Sequence, residues 1–296
     1  MSRPHVELHI AILLAGLTAV LGELITIAAL PLVWWRVLIT AVSFVPLYLL
    51  WPRRKHPKLS APLVLKLLGI GGLIGLHWVT FYGSVKLANA SVALVCFALV
   101  SPLTAILEPM LLGTRFDRTE FLLGCLVLPG MLLVAGSLGE GYVAGFLVGI
   151  LSAALAAIFA TLNKRYVDRL RPVDLSLFEM TGAVVSLSIL YPLLSLADLG
   201  GGGAFWPTPS DWGYLLVLAL LCTTLAFLLA TRSLRHLTAF TINLSYALEP
   251  VYGIVLAAVL LGQHEELSLT FYLGAILITV AVLSHALVAR RRTATL

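Results

Sequence analysis

Two stretches decide the fold: Ala98-Leu99-Val100-Ser101-Pro102 and Tyr246-Ala247-Leu248-Glu249-Pro250. Each places a proline in the middle of a hydrophobic run of membrane length, and each run soon ends in Leu-Gly, at Leu112-Gly113 and Leu261-Gly262. The prolines lie 148 positions apart, which indicates a duplicated chain. Proline removes a helical hydrogen bond, and lipid tolerates the opened backbone only beside protein or a water-filled cavity. Paired interruptions in corresponding halves are typical of the central binding site of a transporter.

The composition requires a membrane as solvent. The 296 residues are 60% hydrophobic and 11% charged, with a mean hydropathy of +1.03. Such a chain cannot cover a soluble surface with polar groups. We expect ten membrane spans, at His9–Leu30, Leu32–Leu50, Pro62–Ser84, Ser91–Leu112, Thr119–Ser137, Tyr142–Tyr166, Leu175–Leu196, Tyr214–Leu234, Thr238–Leu261 and Ser268–Arg290.

The distribution of basic residues predicts the orientation. With the amino terminus in the cytoplasm, every Lys and Arg except Arg36 and Lys86 falls on the inner side. The positive-inside rule therefore predicts a multi-pass protein of the plasma (cell inner) membrane with both termini cytoplasmic. This bias also explains the net charge of +5. A nucleic-acid partner would need a folded basic face with aromatic platforms, which the sequence does not offer.

Five spans per half is an odd number, so the second half must enter the bilayer from the opposite side. We therefore predict an all-α integral membrane protein of two inverted five-helix repeats, residues 1–138 and 139–296, in one membrane domain. Small residues at helical spacing, for example Gly69, Gly72, Gly75, Gly145 and Gly149, predict close helix packing. The three cysteines all fall in apolar spans and indicate neither a disulfide nor a metal site, and we expect no cofactor.

Several stretches resemble the EamA family of the drug/metabolite transporter superfamily, in both halves of the chain. They are Val33-Trp34-Trp35-Arg36-Val37-Leu38, Gly75-Leu76-His77-Trp78-Val79-Thr80-Phe81-Tyr82, Lys86-Leu87-Ala88-Asn89-Ala90-Ser91-Val92-Ala93-Leu94 and Leu248-Glu249-Pro250-Val251-Tyr252-Gly253. The resemblance implies a ten-helix inverted-repeat carrier that works by alternating access. It further implies export of amino acids or other small metabolites through a cavity between the halves. Many relatives are expected to carry lysine where Glu23 stands, so the resemblance does not transfer their substrates.

Two buried carboxylates are candidate coupling or binding groups, because a charge at mid-bilayer costs roughly 2.5–3.5 kcal/mol. Glu249 precedes Pro250 near the middle of span nine and either exchanges a proton or bonds the carbonyls freed by the kink. Its counterpart in the first repeat is Ser101, beside Pro102, so the bend does not require a carboxylate. Glu23 lies in span one and either binds substrate or protons, or forms a salt bridge to Arg36.

Basic and aromatic side chains supply further candidates. Arg36 either holds a substrate carboxylate bidentately or snorkels to the outer interface beside two tryptophans. In span three, one aromatic face is expected to line the cavity and the other to pack, and His77 either titrates or is a hydrogen-bonded core residue. The two faces consist of His77 with Phe81 and of Trp78 with Tyr82.

A polar stripe marks span nine. Asn243, Tyr246, Glu249 and Tyr252 recur every three positions and predict a water-accessible wall. Two other acidic residues, Glu108 and Glu179, are expected near the cytoplasmic surface. The first is interpreted as an interfacial ion pair or a gate, with a central site as the less favoured alternative, and the second as a solvated carboxylate at a helix start.

These observations favour a secondary active transporter, and no nucleotide-binding motif is present to drive it. Small-molecule substrate and lipid bilayer are its expected partners, and protons are the expected coupling ion because the buried groups are Glu and His. Glu23 and the aromatics leave an organic-cation or drug exporter as the alternative. A membrane enzyme or a scaffold is a more distant one, since no nucleophile has a recognisable motif partner. The sequence does not decide between a monomer and a homodimer.

Overall fold

The computed structural model is helical throughout its described part. It describes residues 3–50, 59–166, 169–196, 204–234, 246, 248–262 and 268–293, and no strand occurs in these ranges. The helices, in chain order, are α1 (Arg3–Leu24), α2 (Ala29–Leu50), α3 (Ala61–Leu87), α4 (Ala90–Phe97), α5 (Val100–Leu112), α6 (Arg118–Cys125), α7 (Leu128–Ser137), α8 (Glu140–Lys164), α9 (Pro172–Leu196), α10 (Pro209–Leu216), a π-helical segment (Val217–Leu225), α11 (Ala226–Leu234), α12 (Glu249–Leu261) and α13 (Leu269–Thr293).

Seven helical stretches in the described ranges are long and apolar enough to cross a membrane. They are Arg3–Leu24, Ala29–Leu50, Ala61–Leu87, Ala90–Leu112, Glu140–Lys164, Pro172–Leu193 and Pro209–Ala230, and shorter apolar helices cover Leu128–Ser137, Glu249–Leu261 and Leu269–Ala281. The all-helical, multi-pass membrane architecture is therefore confirmed. Ten complete spans in two inverted repeats stay a prediction.

The two marker prolines start helices instead of interrupting them midway. The first break falls at Ala98 and Leu99, and Pro102 lies in the first turn of α5. Pro250 is likewise in the first turn of α12. Proline is tolerated there because the first turn has no intrahelical acceptor for its missing N–H. Residues 235–245, which include most of the chain before the second break, lie outside the described residues.

Both half-helices end in the same way. Gly113 closes α5 with φ of 71°, and Gly262 closes α12 with φ of 70°. This left-handed conformation is accessible to glycine without strain, which explains the repeated Leu-Gly pair. The span expected at Thr119–Ser137 consists of two helices, because α6 and α7 are separated at Leu126 and Val127.

Close helix contacts organise the bundle around α3. This helix packs against both α8 and α9, α2 also packs on α9, and α1 packs on α12 and on the π segment and α11. Further contacts join α8 to α4 and α5, and α13 to α7. The α3–α9 contact depends on small residues, because an added Cβ at Gly71 would lie 2.0 Å from the Glu179 carbonyl oxygen, and one at Gly182 would lie 2.2 Å from that of Leu68.

The packing role predicted for the small residues is confirmed at most positions. A Cβ at Gly72 would meet the Ser186 hydroxyl, and a Cβ at Gly149 would meet Cys96 and Ser84. Gly69 is the exception, since no atom of the described residues lies within 4 Å of its Cβ position.

The contrast between two glycines of α3 gives a test of this packing. Gly71→Ala should destabilise the protein by about 1–3 kcal/mol, because a methyl group must displace the α9 backbone. Gly69→Ala is the matched control and should be neutral or slightly stabilising, since alanine favours a helix and meets open space. Thermal unfolding in detergent measures both. Equal melting temperatures for the two variants would contradict the α3–α9 contact.

Candidate functional site

A buried arginine lies at the centre of the candidate site. Arg36 of α2 is 5% exposed, and its guanidinium carbon lies 3.7 Å from the centroid of the Trp78 ring on α3. Its Nη1 donates to the Tyr82 hydroxyl at 2.8 Å, while Nε and Nη2 both donate to Oγ1 of Thr223, at 3.2 and 3.0 Å. The snorkelling alternative for Arg36 is therefore wrong. We call Arg36, Trp78, Tyr82 and Thr223 the arginine cluster.

The π-helical segment presents Thr223 to the arginine. The Thr223 hydroxyl donates to the carbonyl of Leu218, five residues earlier, at 2.8 Å. The neighbouring Thr224 repeats the pattern towards Ala219 and also bonds Ser43 of α2 at 2.7 Å. The π-helix is rare, and π turns inside α-helices occur frequently at functional sites. Sequence reasoning missed Thr223, because a π segment leaves no local signature in an apolar helix.

Tyr82 packs directly against α1 because Gly22 of that helix has no side chain. A Cβ at Gly22 would lie 2.3 Å from the Tyr82 ring, so only glycine leaves room for it. The hydroxyl of Tyr82 donates to the Thr18 carbonyl at 3.4 Å and accepts from Arg36. Trp78 and Tyr82 are therefore the face of α3 that meets the arginine.

The other face of α3 packs. Nδ1 of His77 lies 2.9 Å from the Ser152 hydroxyl and 3.0 Å from the Ser152 carbonyl oxygen on α8. The imidazole is 5% exposed, among the rings of Phe81, Phe97 and Phe159. This arrangement agrees with the alternative of a hydrogen-bonded core histidine. The hydrogen bond of His77 therefore joins α3 to α8.

Glu249 approaches the arginine cluster from α12. A Cβ at Gly16 of α1 would lie 2.9 Å from the Gly253 nitrogen and 3.2 Å from the Glu249 carbonyl oxygen, so the glycines allow α12 to cross α1 closely. The Glu249 side chain is half-buried and lies within electrostatic range of Arg36. Within the described ranges, no ion pair joins the two groups directly. The site thus contains a cation and a carboxylate held apart.

The tyrosines of the predicted polar stripe lie against the first half of α1. The hydroxyl of Tyr252 is 3.0 Å from Nδ1 of His9, and Tyr246 and Tyr252 both pack on Leu8 and Ile12. Asn243, the first residue of that stripe, lies outside the described residues.

Glu23 caps a helix. Its Oε2 accepts from the backbone nitrogen of Ala90 at 2.8 Å, beside Asn89, whose Oδ1 accepts from Val92 at 2.9 Å. Lys86 bonds the carbonyl oxygens of Ile25 and Glu23. The alternative of a salt bridge from Glu23 to Arg36 is wrong, because the bonds of Arg36 go to Tyr82 and Thr223.

Ser101 and Pro102 lie away from these contacts. Pro102 is buried against α6, where a Cβ at Gly124 would lie 2.8 Å from its Cα. Ser101 is half-buried in the first turn of α5. Among the described hydrogen bonds, none joins Ser101 to the arginine cluster.

Aromatic and polar contacts close one end of the bundle. Nε1 of Trp35 donates to the Phe205 carbonyl at 3.0 Å, and its ring packs on Trp212 at 4.8 Å between centroids. Asp211, buried in the first turn of α10, accepts from the backbone and hydroxyl of Thr26 at 2.6 and 2.8 Å. Together these contacts join the α1–α2 connection to α10.

Ionic contacts are found at the opposite end. Lys164 pairs with Glu108, as the ion-pair interpretation of Glu108 expects. Arg171 pairs with Asp174, and this hydrogen bonding raises the pKa of Arg171 above its ordinary value. The expectation of a solvated Glu179 is wrong, since that residue is 4% exposed. No cluster of three His, Cys, Asp or Glu side chains that could hold a metal occurs in the described ranges.

The capping role of Glu23 predicts a specific stability pattern. Glu23→Ala should lower the free energy of unfolding by about 1 kcal/mol, because the amino end of α4 loses an acceptor. Glu23→Gln keeps an amide oxygen and should restore most of that stability. Thermal unfolding of both variants measures the difference. If alanine and glutamine lower the melting temperature equally, the cap does not account for this residue.

The chain is similar in sequence and in fold to known proteins. The chain is 25% identical over 287 residues to the "Uncharacterized transporter YxxF" of Bacillus subtilis (strain 168), covering 92% of this chain and 86% of that protein. A solved crystal structure is similar in fold, with a TM-score of 0.63 and 21% identity over 98% of this chain and 99% of the other. The model of the EamA-like transporter family matches residues 8–136 and 143–285. The chain therefore belongs to the EamA-like transporter family.

Proposed function

We propose that the protein is a secondary active transporter that exports amino acids or similar small metabolites by alternating access, coupled to protons. The observation that carries the proposal is the arginine cluster together with Glu249. A guanidinium and a separate carboxylate lie inside an apolar bundle where each charge is costly. Buried ionisable groups in membrane spans mark substrate and ion pathways.

Alternating access rests on two inverted repeats, residues 1–138 and 139–296. Helix contacts come in matching pairs that support this division. The contact between α1 and α12 corresponds to the contact of α8 with α4 and α5. In the same way, the contact of α1 with the π segment and α11 corresponds to the contact between α8 and α3. The family model matches two stretches that fall on either side of this boundary. In the proposed cycle, one repeat rocks against the other around the site.

The arginine cluster suits a substrate carboxylate. A guanidinium has five N–H donors, and three hydrogen bonds of Arg36 go to two neutral hydroxyls. Donors therefore remain for an anionic group, and a buried cation without a paired anion is unfavourable. A substrate carboxylate on Arg36 supplies that anion, and Glu249 is placed to accept an ammonium group. A zwitterionic amino acid satisfies both charges.

Glu249 is also the proposed coupling carboxylate. Glu249 is half-buried and lies within electrostatic range of Arg36. Its charge therefore affects the affinity of the site for a charged substrate. Protonation of Glu249 removes the attraction for a substrate ammonium group and favours release. Binding of substrate and binding of a proton then compete, which is what exchange transport requires.

An organic-cation exporter is the second candidate. The rings of Trp78 and Tyr82 and the Glu249 carboxylate are groups that recognise cations. Arg36 already occupies the Trp78 ring at 3.7 Å, however, and its charge repels a second cation. This contact favours the amino acid over the cation.

The proposed location follows the charge bias of the loops. We place the protein in the plasma (cell inner) membrane with both termini in the cytoplasm. In this orientation the end closed by Trp35 and Asp211 faces outwards, and the ion pairs of Lys164 and Arg171 lie on the cytoplasmic side. Monomer and homodimer are both compatible with this arrangement.

Flux measurements test the role of Glu249. Purified protein is first screened by thermal shift against amino acids and organic cations, and the best ligand is taken into liposomes. Glu249→Gln should reduce flux driven by a pH gradient at least tenfold, because the variant cannot release a proton, and should bind a zwitterionic ligand more weakly, through Arg36 alone. The matched control is Glu140→Gln, an exposed glutamate at the start of α8. Wild-type flux in Glu249→Gln would remove this residue from the coupling mechanism.

A further inference from the structure

We infer that Glu179 of α9 is a second proton-binding site, that it carries its proton in this conformation, and that Asn163 of α8 positions it. The inference rests on the proposed proton-coupled transport and adds a site away from Glu249. Its starting point is the 4% exposure of Glu179, a carboxyl group enclosed by α3, α8 and α9.

The hydrogen-bond partners of this pair are incomplete in a specific way. Oε1 of Glu179 is buried and has no hydrogen-bond partner among the described residues. The side-chain amide of Asn163 lies beside the carboxyl, and its Oδ1 is also buried, with no partner in the part of the chain that the structure describes. Two buried oxygens on neighbouring side chains that both lack a donor are unfavourable in an apolar interior. When the Asn163 amide turns so that Oδ1 faces the carboxyl, a proton on Glu179 supplies the missing donor, and one O–H···O hydrogen bond satisfies both groups.

Burial argues for the same protonation state. Glu179 lies about 10 Å along the helix axis from Pro172, the first residue of α9, which places it well inside the span. The backbone of Glu179 lies directly against Gly71 of α3, because glycine has no side chain that would keep the two helices apart. An unpaired carboxylate at such a place is costly, so the neutral acid is favoured.

Within the described ranges, the titratable groups of the surrounding helices do not compensate an ionised Glu179, because each is bonded elsewhere or exposed. On α2, Arg36 bonds Tyr82 and Thr223, and Tyr48 contacts the Arg171 guanidinium. On α3, His77 bonds Ser152 and Lys66 is exposed. Lys164 of α8 pairs with Glu108, and Arg171 at the start of α9 pairs with Asp174. The group that reaches the Glu179 carboxyl is the neutral amide of Asn163.

Asparagine can form a hydrogen bond with both the protonated and the ionised form of a carboxyl group. Its carbonyl oxygen accepts from a carboxylic acid, and after a flip of the amide its N–H donates to a carboxylate. A rocking motion that opens the cytoplasmic half to water would lower the cost of the carboxylate and release the proton. Glutamine at position 179 would fill the same space without this exchange.

Infrared spectroscopy tests the inference without any substrate. The wild-type protein in liposomes should show the C=O stretch of a protonated carboxylic acid at neutral pH, and Glu179→Gln should remove that band. Glu140→Gln, an exposed control, should leave it unchanged. Identical wild-type and Glu179→Gln spectra at neutral pH would overturn the inference.

A second variant tests the role of Asn163. Asn163→Leu has a similar shape but no acceptor, so the band of Glu179 should move to the frequency of a carboxylic acid without a hydrogen bond. An unshifted band would show that Asn163 does not position the proton.

A pH jump on a supported membrane relates the site to charge movement. Proton binding inside the span should give a transient current that Glu179→Gln reduces by at least half and Glu140→Gln does not. Because these measurements use the proton as the only ligand, they are independent of substrate flux. Loss of flux in Glu249→Gln with an unaltered spectrum in Glu179→Gln would leave the proposed function standing and reject this site.

Discussion

The burial of one guanidinium constrains the rest of this bundle. Arg36 is 5% exposed in a chain that is 60% hydrophobic, so the structure must provide polar and aromatic partners at a fixed depth. Trp78 covers its face, while Tyr82 and Thr223 accept its hydrogen bonds. Three elements, α2, α3 and the π segment, therefore meet at this point. A cation held by neutral partners remains available to a substrate anion.

Close backbone approaches make this arrangement possible. Gly22 gives space to the Tyr82 ring, and Gly16 lets α12 bring Glu249 towards the cluster. In the π segment the Thr223 hydroxyl donates to the Leu218 carbonyl, five residues earlier, and its oxygen faces Arg36. Each of these three features departs from regular helix packing, and each lies beside the charged groups. Such departures are expected where function requires them, because they reduce stability elsewhere in a fold.

Much of this was predictable from the sequence, and the failures have physical reasons. Hydropathy and the repeated Pro and Leu-Gly positions predict a helical membrane protein, and the spacing of Trp78 and Tyr82 predicts a shared face. The sequence does not predict the burial of Arg36 and Glu179, because position along a span does not reveal which face packs inwards. It favours Glu23 as a site residue because the partner of Glu23, the amino end of α4, is distant in sequence.

The claim that Arg36 binds a substrate carboxylate is tested most directly by calorimetry. The measurement is the affinity of the best zwitterionic ligand for wild-type protein, for Arg36→Lys and for Arg171→Lys as a control at the membrane surface. Lysine keeps the charge but cannot form the planar bidentate contact. The account predicts at least tenfold weaker binding by Arg36→Lys and wild-type affinity in the control. Equal affinity in all three proteins would contradict it.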